Sequence, residues 1–264
     1  NFGNLPWKTV FTDPQLQSLI ELGLKQNTDL QSAILKVKEA QAPLLAAKLA
    51  YAPSLALSPQ GTISSFNHKA ASKTYSLPVA ASWEISLFGG ILNTKRGAEV
   101  NVKQMQAYRQ AVQTQIIANV ANMYYTLMML DKQLEISRET AEILKRNTEA
   151  MEAMKEGAMY NINSAGVEQS RAAYAQVLAS LPDIEQSIRE VENSLSVLLG
   201  QAPQSIKRST LDAQSLPSEF SVGVPLQLLS NRPDIKAAEM ALAASYYNTN
   251  VARSNFYPKI TLSG

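Results

Sequence analysis

The sequence predicts a mainly α-helical protein with one β-hairpin, and two observations lead to this prediction. From Ala98 to Glu156 there is no glycine or proline, and the residues are largely good helix formers. Over residues 75–87, every odd position is apolar and the even positions are mostly small or polar. This period of two indicates a strand with one apolar and one polar face. Long helices joined to a pair of strands are therefore expected.

Charge and composition exclude several classes of function. The 264 residues contain 24 Lys and Arg, 22 Asp and Glu, one histidine and no cysteine. A nucleic-acid-binding protein normally shows a concentrated basic face, and the balanced charge argues against one. His68 alone cannot form a multi-histidine metal site, and we interpret it as a solvated loop residue. We expect no catalytic residues, no cofactor and no metal.

The first helical segment is predicted over residues 14–50, in two parts. Asp13 and Pro14 supply an N-cap and a first-turn proline for the first part. Asn27 begins the second part, and Pro43 is expected to bend it.

Two strands are predicted next, over residues 54–66 and 75–88, joined by a polar loop that contains His68. At about 12–13 residues they are long for a globular sheet and sufficient to cross a membrane. From the pattern alone, a half-buried sheet on a soluble core is an equally good interpretation.

A long helical hairpin is predicted over residues 91–200, with its turn near 157–164. Pro182 is expected to kink or split the second helix. In the first helix, residues that suit a buried position recur at steps of three and four, which indicates a heptad seam packed along another helix. The seam consists of Leu127, Leu130, Leu134, Ser137, Ala141, Leu144, Thr148 and Met151.

An internal repeat organises the chain. A shift of 205 positions places Asn27–Pro59 on Arg232–Gly264, and both copies predict a helix, an aromatic residue, a proline and a strand. We therefore divide the chain into a first repeat at 1–201, a linker or equatorial segment at 202–224, and the start of a second repeat at 225–264. No signal peptide opens the chain and its last strand is short, so we interpret it as a truncated fragment.

Several motifs resemble those of the TolC-type outer-membrane efflux proteins. They are the Asp-Pro-Gln-Leu that starts at Asp13, the Trp-Glu-Ile-Ser-Leu-Phe-Gly of Trp83–Gly89, the run Leu228–Glu239 with its Asn-Arg-Pro-Asp, and the Phe-Tyr-Pro-Lys-Ile-Thr-Leu of Phe256–Leu262. They occur in the family's order along the whole chain. The drug-efflux branch is the most similar.

This resemblance implies a homotrimer in the bacterial outer membrane. Its fold would be mainly α with a membrane β-hairpin: long helical hairpins form a periplasmic α-barrel, and the strands form part of a trimeric, twelve-strand outer-membrane β-barrel. The odd residues of 75–87 would face outer-membrane lipid, and the even ones, including Glu84, would face the lumen. The function would be passive export of drugs or other small molecules, driven by an inner-membrane pump through a periplasmic adaptor protein. Whether the mature N-terminus is lipidated stays open.

The resemblance also points to the tip of the helical hairpin. Gly157, Ala158 and Met159 are candidates for the contact with the adaptor, and Asn163 stands where many relatives carry an aspartate of the gate. One further set, Glu149, Glu152 and Glu156, shares a helical face near the tip because its spacing is three and four. This face is either an acidic lining of the lumen or an ordinary solvated surface.

A different class of function is also compatible with the long helices. A soluble coiled-coil scaffold or adaptor would use the hairpin to bind partner helices. The two hypotheses differ in what they require of the alternating strand: a channel needs its apolar face in lipid, whereas a scaffold would bury it or tolerate charge there.

Overall fold

A computed structural model describes residues 6–65, 70–157, 164–214 and 231–264. The helices, α1 to α6, are Trp7–Val10, Pro14–Gln26, Thr28–Leu49, Gly90–Glu156, Ser164–Leu198 and Pro233–Ser254. The strands, β1 to β5, are Ser54–Leu57, Gln60–Ser64, Ser72–Ser76, Val79–Ile85 and Ile260–Ser263. The loop residue His68 lies outside the described residues. The mainly α fold with a strand hairpin is therefore confirmed.

The chain divides into two compact units, each built from separate stretches of sequence. One unit comprises the described residues within 1–31 and 112–224, and the other those within 32–111 and 225–264. Helices α3 and α4 contribute residues to both units. The division of the chain into two successive repeats and a linker stays a prediction.

Helix α4 has 67 residues, and its burial follows the predicted seam. Leu127, Ala141 and Thr148 are buried, the other seam positions are partly buried, and the residues between them are mostly exposed. Thr148 Oγ1 lies 2.8 Å from Ser170 Oγ of α5, so a hydroxyl pair bridges the two helices at a polar position of the seam. The two helices therefore lie side by side at this level of the seam.

Both internal prolines lie within continuous helices. Pro43 is inside α3 and Pro182 is inside α5, which runs unbroken from Ser164 to Leu198. Pro182 therefore does not split its helix, and the alternative of a kink stays a prediction. A proline removes one backbone hydrogen bond, and the bonds on either side suffice to continue the helix when packing holds it.

The strands form two antiparallel ladders in the second unit. Strand β4 lies between β1 and β5, and β2 pairs with β3. The sequence predicts two uninterrupted strands, but each is divided at a proline: β1 and β2 on either side of Ser58 and Pro59, and β3 and β4 on either side of Leu77 and Pro78. Proline has no N–H to donate to a ladder, so regular pairing stops there.

One hydrogen bond crosses this interruption. The N–H of Ser58 donates to the carbonyl of Pro78 at 3.1 Å, so the hairpin continues through the gap. The second strand also begins earlier than predicted, at Ser72, and ends at Ile85 before a turn that carries Gly89 at φ +74°. In the parts of the chain that the structure describes, none of the helices is apolar over a stretch long enough to cross a bilayer.

We predict that Leu195→Ala destabilises the chain by about 2–5 kcal/mol, because Leu195 is fully buried in α5 and the smaller side chain leaves a cavity. Val197, two residues along the same helix, is 71% exposed, so Val197→Ala should change the unfolding free energy little. Chemical unfolding followed by circular dichroism measures both. Equal losses for the two variants would contradict the difference in burial between Leu195 and Val197.

Candidate functional site

The three-stranded sheet β1–β4–β5 has one apolar face. The register places Leu57 beside Val79 and Trp83 beside Leu262. Because side chains alternate between faces, these residues share one surface. Its large members are all exposed or half-exposed, and they are Leu55, Leu57, Val79, Trp83, Ile85, Ile260 and Leu262. An exposed apolar surface of this extent indicates a face that contacts lipid or protein.

The opposite face of this sheet is polar. Ser54 pairs with Ser82, and Glu84 pairs with Thr261. The ladder β2–β3 has an uncharged polar face of the same kind, made of Gln60, Thr62, Ser64, Ser72, Thr74 and Ser76. Side chains of this type are small and well solvated, as suits a surface in contact with water. The predicted division of residues 75–87 into two faces therefore holds over the described strands, and Glu84 lies on the polar side.

Several side-chain contacts connect the strands to the helices at their junction. Phe88 stacks on Tyr257 with ring centroids 4.6 Å apart, and the indole N–H of Trp83 donates to the carbonyl of Tyr51 at 3.1 Å. Ser86 Oγ accepts from the N–H of Ile91 at 3.2 Å in the first turn of α4. These contacts join the ends of α3, α4 and α6 to the sheet within one unit. Ser86, Phe88 and Ile91 also line a cavity of about 220 Å³, whose wall includes Glu84 and Lys259.

The acidic residues near the hairpin tip do not share one environment. Glu152 is bonded to Arg171 of α5, which also lies 3.1 Å from Glu168. Glu149 and Glu156 are exposed and have no ion pair within the described residues. The spacing that placed the three on one helical face cannot reveal this difference, because Arg171 comes from the other helix.

Gly157 directly follows the last residue of α4, and its N–H donates to the carbonyl of Ala153 at 2.9 Å. The other tip candidates are Ala158, Met159 and Asn163, and all three lie outside the described residues. Their proposed contacts with an adaptor or a gate stay predictions.

A buried polar cluster around Asp13 was only partly predicted. Its Oδ1 accepts from the N–H of Gln15 at 2.8 Å, which is the expected N-cap of α2. Its Oδ2 accepts from the hydroxyl of Tyr124 at 2.7 Å, from Nε2 of Gln214 at 3.0 Å and from Ser209 Oγ. A single carboxylate therefore joins α2, α4 and the segment that follows α5.

Burial and hydrogen bonding act in opposite directions on this carboxylate. Burial raises the pKa of Asp13, but the hydrogen bonds from Ser209, Tyr124, Gln15 and Gln214 outweigh it and hold the pKa below its usual value. Burial raises the pKa of Tyr124, so its hydroxyl keeps the proton that it donates to Asp13.

A second cluster centres on Arg208, whose side chain is 13% exposed. Its Nη2 donates to Asp131 Oδ1 of α4 at 2.7 Å, and its Nη1 donates to Glu192 Oε1 of α5 at 2.5 Å. The hydrogen bond to Asp131 is the main reason why the pKa of Arg208 is raised. The arginine thus bridges the two long helices.

Sequence patterns give no indication of the Arg208 cluster, because residues 202–214 have no periodicity. Both clusters lie within one compact unit, and the carboxylate of Asp13 and the guanidinium of Arg208 each have several hydrogen-bond partners. We therefore interpret both clusters as structural links between helices. Among the described residues, no group of three or more His, Asp or Glu side chains is placed to hold a metal ion.

A long helical hairpin, joined to strands with one apolar and one polar face, is the fold of the channels through which bacteria export compounds across the outer membrane. Residues 19–201 match the model of the family described as outer membrane efflux protein, and the chain belongs to this family. The predicted resemblance is thereby confirmed.

Individual relatives support the same assignment. The chain is 29% identical over its full length to the cation efflux system protein CusC of Escherichia coli O6:H1, of which it covers 57%. It is 30% identical, over 97% of its length, to the pyoverdine export outer membrane protein OpmQ of Pseudomonas putida, of which it also covers 57%. A crystal structure of CusC matches 98% of the chain with a TM-score of 0.88 and 28% identity, and the chain covers 61% of it. The chain thus spans somewhat more than half the length of the relatives it matches.

We predict that Asp13→Asn lowers the free energy of unfolding by about 1–3 kcal/mol at pH 7, because four donors lose a charged acceptor. Since the pKa of Asp13 is lowered in the folded state, its contribution is fully present above the unfolded value near 4. It is lost as the pH falls through the lower folded value.

The difference in the free energy of unfolding between the parent and Asp13→Asn should therefore become smaller as the pH falls below about 4. Urea unfolding at several pH values measures it. The exposed residue Asp183 provides a control, since Asp183→Asn should have little effect at any pH. A difference for Asp13→Asn that stayed constant down to pH 2 would contradict this role of the carboxylate.

Proposed function

We propose that the protein is the outer-membrane channel of a tripartite efflux system and acts as a passive conduit from the periplasm to the exterior. The observation that carries this proposal is the sheet with opposite apolar and polar faces, joined at β4 to a 67-residue helix in a chain of the outer membrane efflux protein family. The apolar face would lie in lipid and the polar face in the water of the lumen.

The backbone of the two edge strands explains why the proposed barrel has to close. Strands β1 and β5 lie at the edges of the three-stranded sheet, and among the described residues their outer N–H and C=O groups have no ladder partners. In a bilayer each unsatisfied group costs several kcal/mol, so such edges must pair with further strands. Under the proposal the partners come from the second repeat and from two further copies of the chain, which together close a trimeric barrel.

Transport through such a conduit needs no reaction at the protein itself. We propose no enzymatic activity and no cofactor, with energy supplied by an inner-membrane pump through a periplasmic adaptor. The partners are two further copies of the chain, the adaptor, the pump and outer-membrane lipid, and no nucleic acid. One relative is named for cations and another for pyoverdine, so the proposed cargo is small molecules or ions without a narrower class.

The tip of the helical hairpin is the proposed contact with the adaptor, through Gly157 and the neighbouring Ala158 and Met159. Exposed Glu149 and Glu156 are proposed to line the lumen there. Glu152 contributes less to such a lining, because Arg171 compensates its charge. Asn163 holds the position proposed as equivalent to the gate.

The direct test is fractionation of cells that express the complete protein, followed by electrophoresis of unheated samples in SDS. A band of trimer size in the outer membrane supports the channel. A soluble monomer or dimer would overturn the proposal and favour the coiled-coil scaffold.

We predict that Val79→Arg abolishes the trimer band, because a charge on the lipid face costs roughly 2–4 kcal/mol in each protomer near the bilayer midplane. Ala80→Arg is the matched control: the residue is next in β4, is also exposed and lies on the polar face. It should assemble normally. Equal assembly of both variants would contradict the assignment of the two faces.

We further predict that Gly157→Ala reduces crosslinking of the assembled channel to its adaptor, because an added side chain alters the surface directly after α4. Gln133→Ala, at an exposed position far back along α4, should leave the crosslink yield unchanged. The measurement is the yield of channel–adaptor adduct after in vivo crosslinking. An unchanged yield for Gly157→Ala would remove this residue from the proposed contact.

A further inference from the structure

The polar face of the three-stranded sheet carries two opposite charges at its end nearest the helices. Glu84 lies in β4, and Lys259 directly precedes β5. Glu84 is paired with Thr261, so Lys259 is its diagonal neighbour on the same face. The Nζ of Lys259 lies 3.9 Å from Oε1 of Glu84. The two charges therefore occupy nearly the same level of the sheet.

This pair is isolated among uncharged residues. Within the described strands, the other residues of the polar faces are serine, threonine, glutamine and alanine. Lys73 is the other charged strand residue, and it lies on the face of β3 that carries Tyr75. Whatever charge the polar face presents in the described part of the hairpin is thus set by Glu84 and Lys259.

The fold does not require a charge at the position of Lys259. The internal shift of 205 positions places Lys259 on Ser54, which begins β1 in the first repeat. There the hydroxyl of Ser54 donates to the carbonyl of Ser82 at 3.0 Å, and the strand forms without a cation. Both members of the pair are also substantially exposed, at 62% and 46%, so the ion pair adds little to stability.

Charge has a larger effect on ions in a pore than on the stability of the wall. Rings of like-charged side chains attract counter-ions and exclude co-ions, which makes a pore selective. Three glutamates at one level would favour cations, and three lysines would favour anions. When the two rings lie within 4 Å of each other, their fields largely cancel beyond that distance.

We propose that Glu84 and Lys259 form a charge-compensated ring that gives the conduit little preference between cations and anions at the level of the sheet. The inference rests on the proposed function, because three copies around a common lumen are needed to make a ring. A conduit without strong charge preference at this level can pass cargo of either sign, and each member of the pair prevents the other from acting as a filter.

The test is the zero-current potential of the purified full-length trimer in planar lipid bilayers under a KCl gradient. Glu84→Gln leaves three lysines and should shift the cation-to-anion permeability ratio toward anions by at least about twofold. Lys259→Gln leaves three glutamates and should shift it toward cations by a similar factor. Low salt gives the largest effect, because the screening length falls from about 30 Å at 0.01 M to about 10 Å at 0.1 M.

Three controls separate charge from structure. The double variant Glu84→Gln with Lys259→Gln should keep the parent ratio, because the ring stays neutral. Lys73→Gln removes a lysine from the other face and should also leave the ratio unchanged. Lys259→Ser, which reproduces the residue of the first repeat, should shift the ratio as Lys259→Gln does and serves if the glutamine variant fails to assemble. Charges at the helix ends, such as Lys48, Lys95 and Arg253, form a background that all variants share.

Opposite shifts for the two single variants support the proposal. Conducting trimers whose ratio is the same in both single variants as in the parent would overturn it, while the proposed channel would stand. A complete protein that forms no trimer in the outer membrane and no pore in bilayers would overturn both, so the two failures are distinguishable.

Discussion

The packing of α4 against α5 is the constraint on which the rest of the first unit depends. A single helix of 67 residues cannot bury an apolar stripe by itself, and its propensity alone does not hold it in place. The seam through Leu127, Ala141 and Thr148 solves this by giving the stripe a partner helix. Once the two helices are in register, Arg208 can reach Asp131 and Glu192 together, and the segment after α5 is fixed against both.

The sheet follows a different logic, because its residues are exposed on both faces in this chain. An ordinary soluble sheet buries one face, and here neither is buried. The sheet therefore presents apolar residues on one side and mainly hydroxyl-bearing residues on the other. Its two sides thus suit two different environments. That separation, with membership of the outer membrane efflux protein family, is what supports the proposed role in export.

Sequence reasoning succeeded where the pattern is local and periodic. The seam of α4 and the two faces of β4 follow from repeats of three to four and of two residues, and the N-cap at Asp13 follows from the Asp-Pro pair that begins α2. It failed where the outcome depends on partners distant in sequence or on the packing around a proline. Arg171 compensates Glu152 from another helix, α5 continues through Pro182, and the hairpin is interrupted at Pro59 and Pro78.

The Asp13 cluster has a consequence for the order in which the chain can fold. The carboxylate begins α2, yet two of its donors, Ser209 and Gln214, come 196 and 201 residues later. During synthesis, α2 therefore emerges long before its buried acceptor can be satisfied, and the loop that must close includes both long helices. Contacts of such separation slow folding, because the entropy of closure is lost before the contact forms. The hydrogen bonds around Asp13 thus form only after the helical hairpin is complete. Their formation therefore indicates that the hairpin has folded.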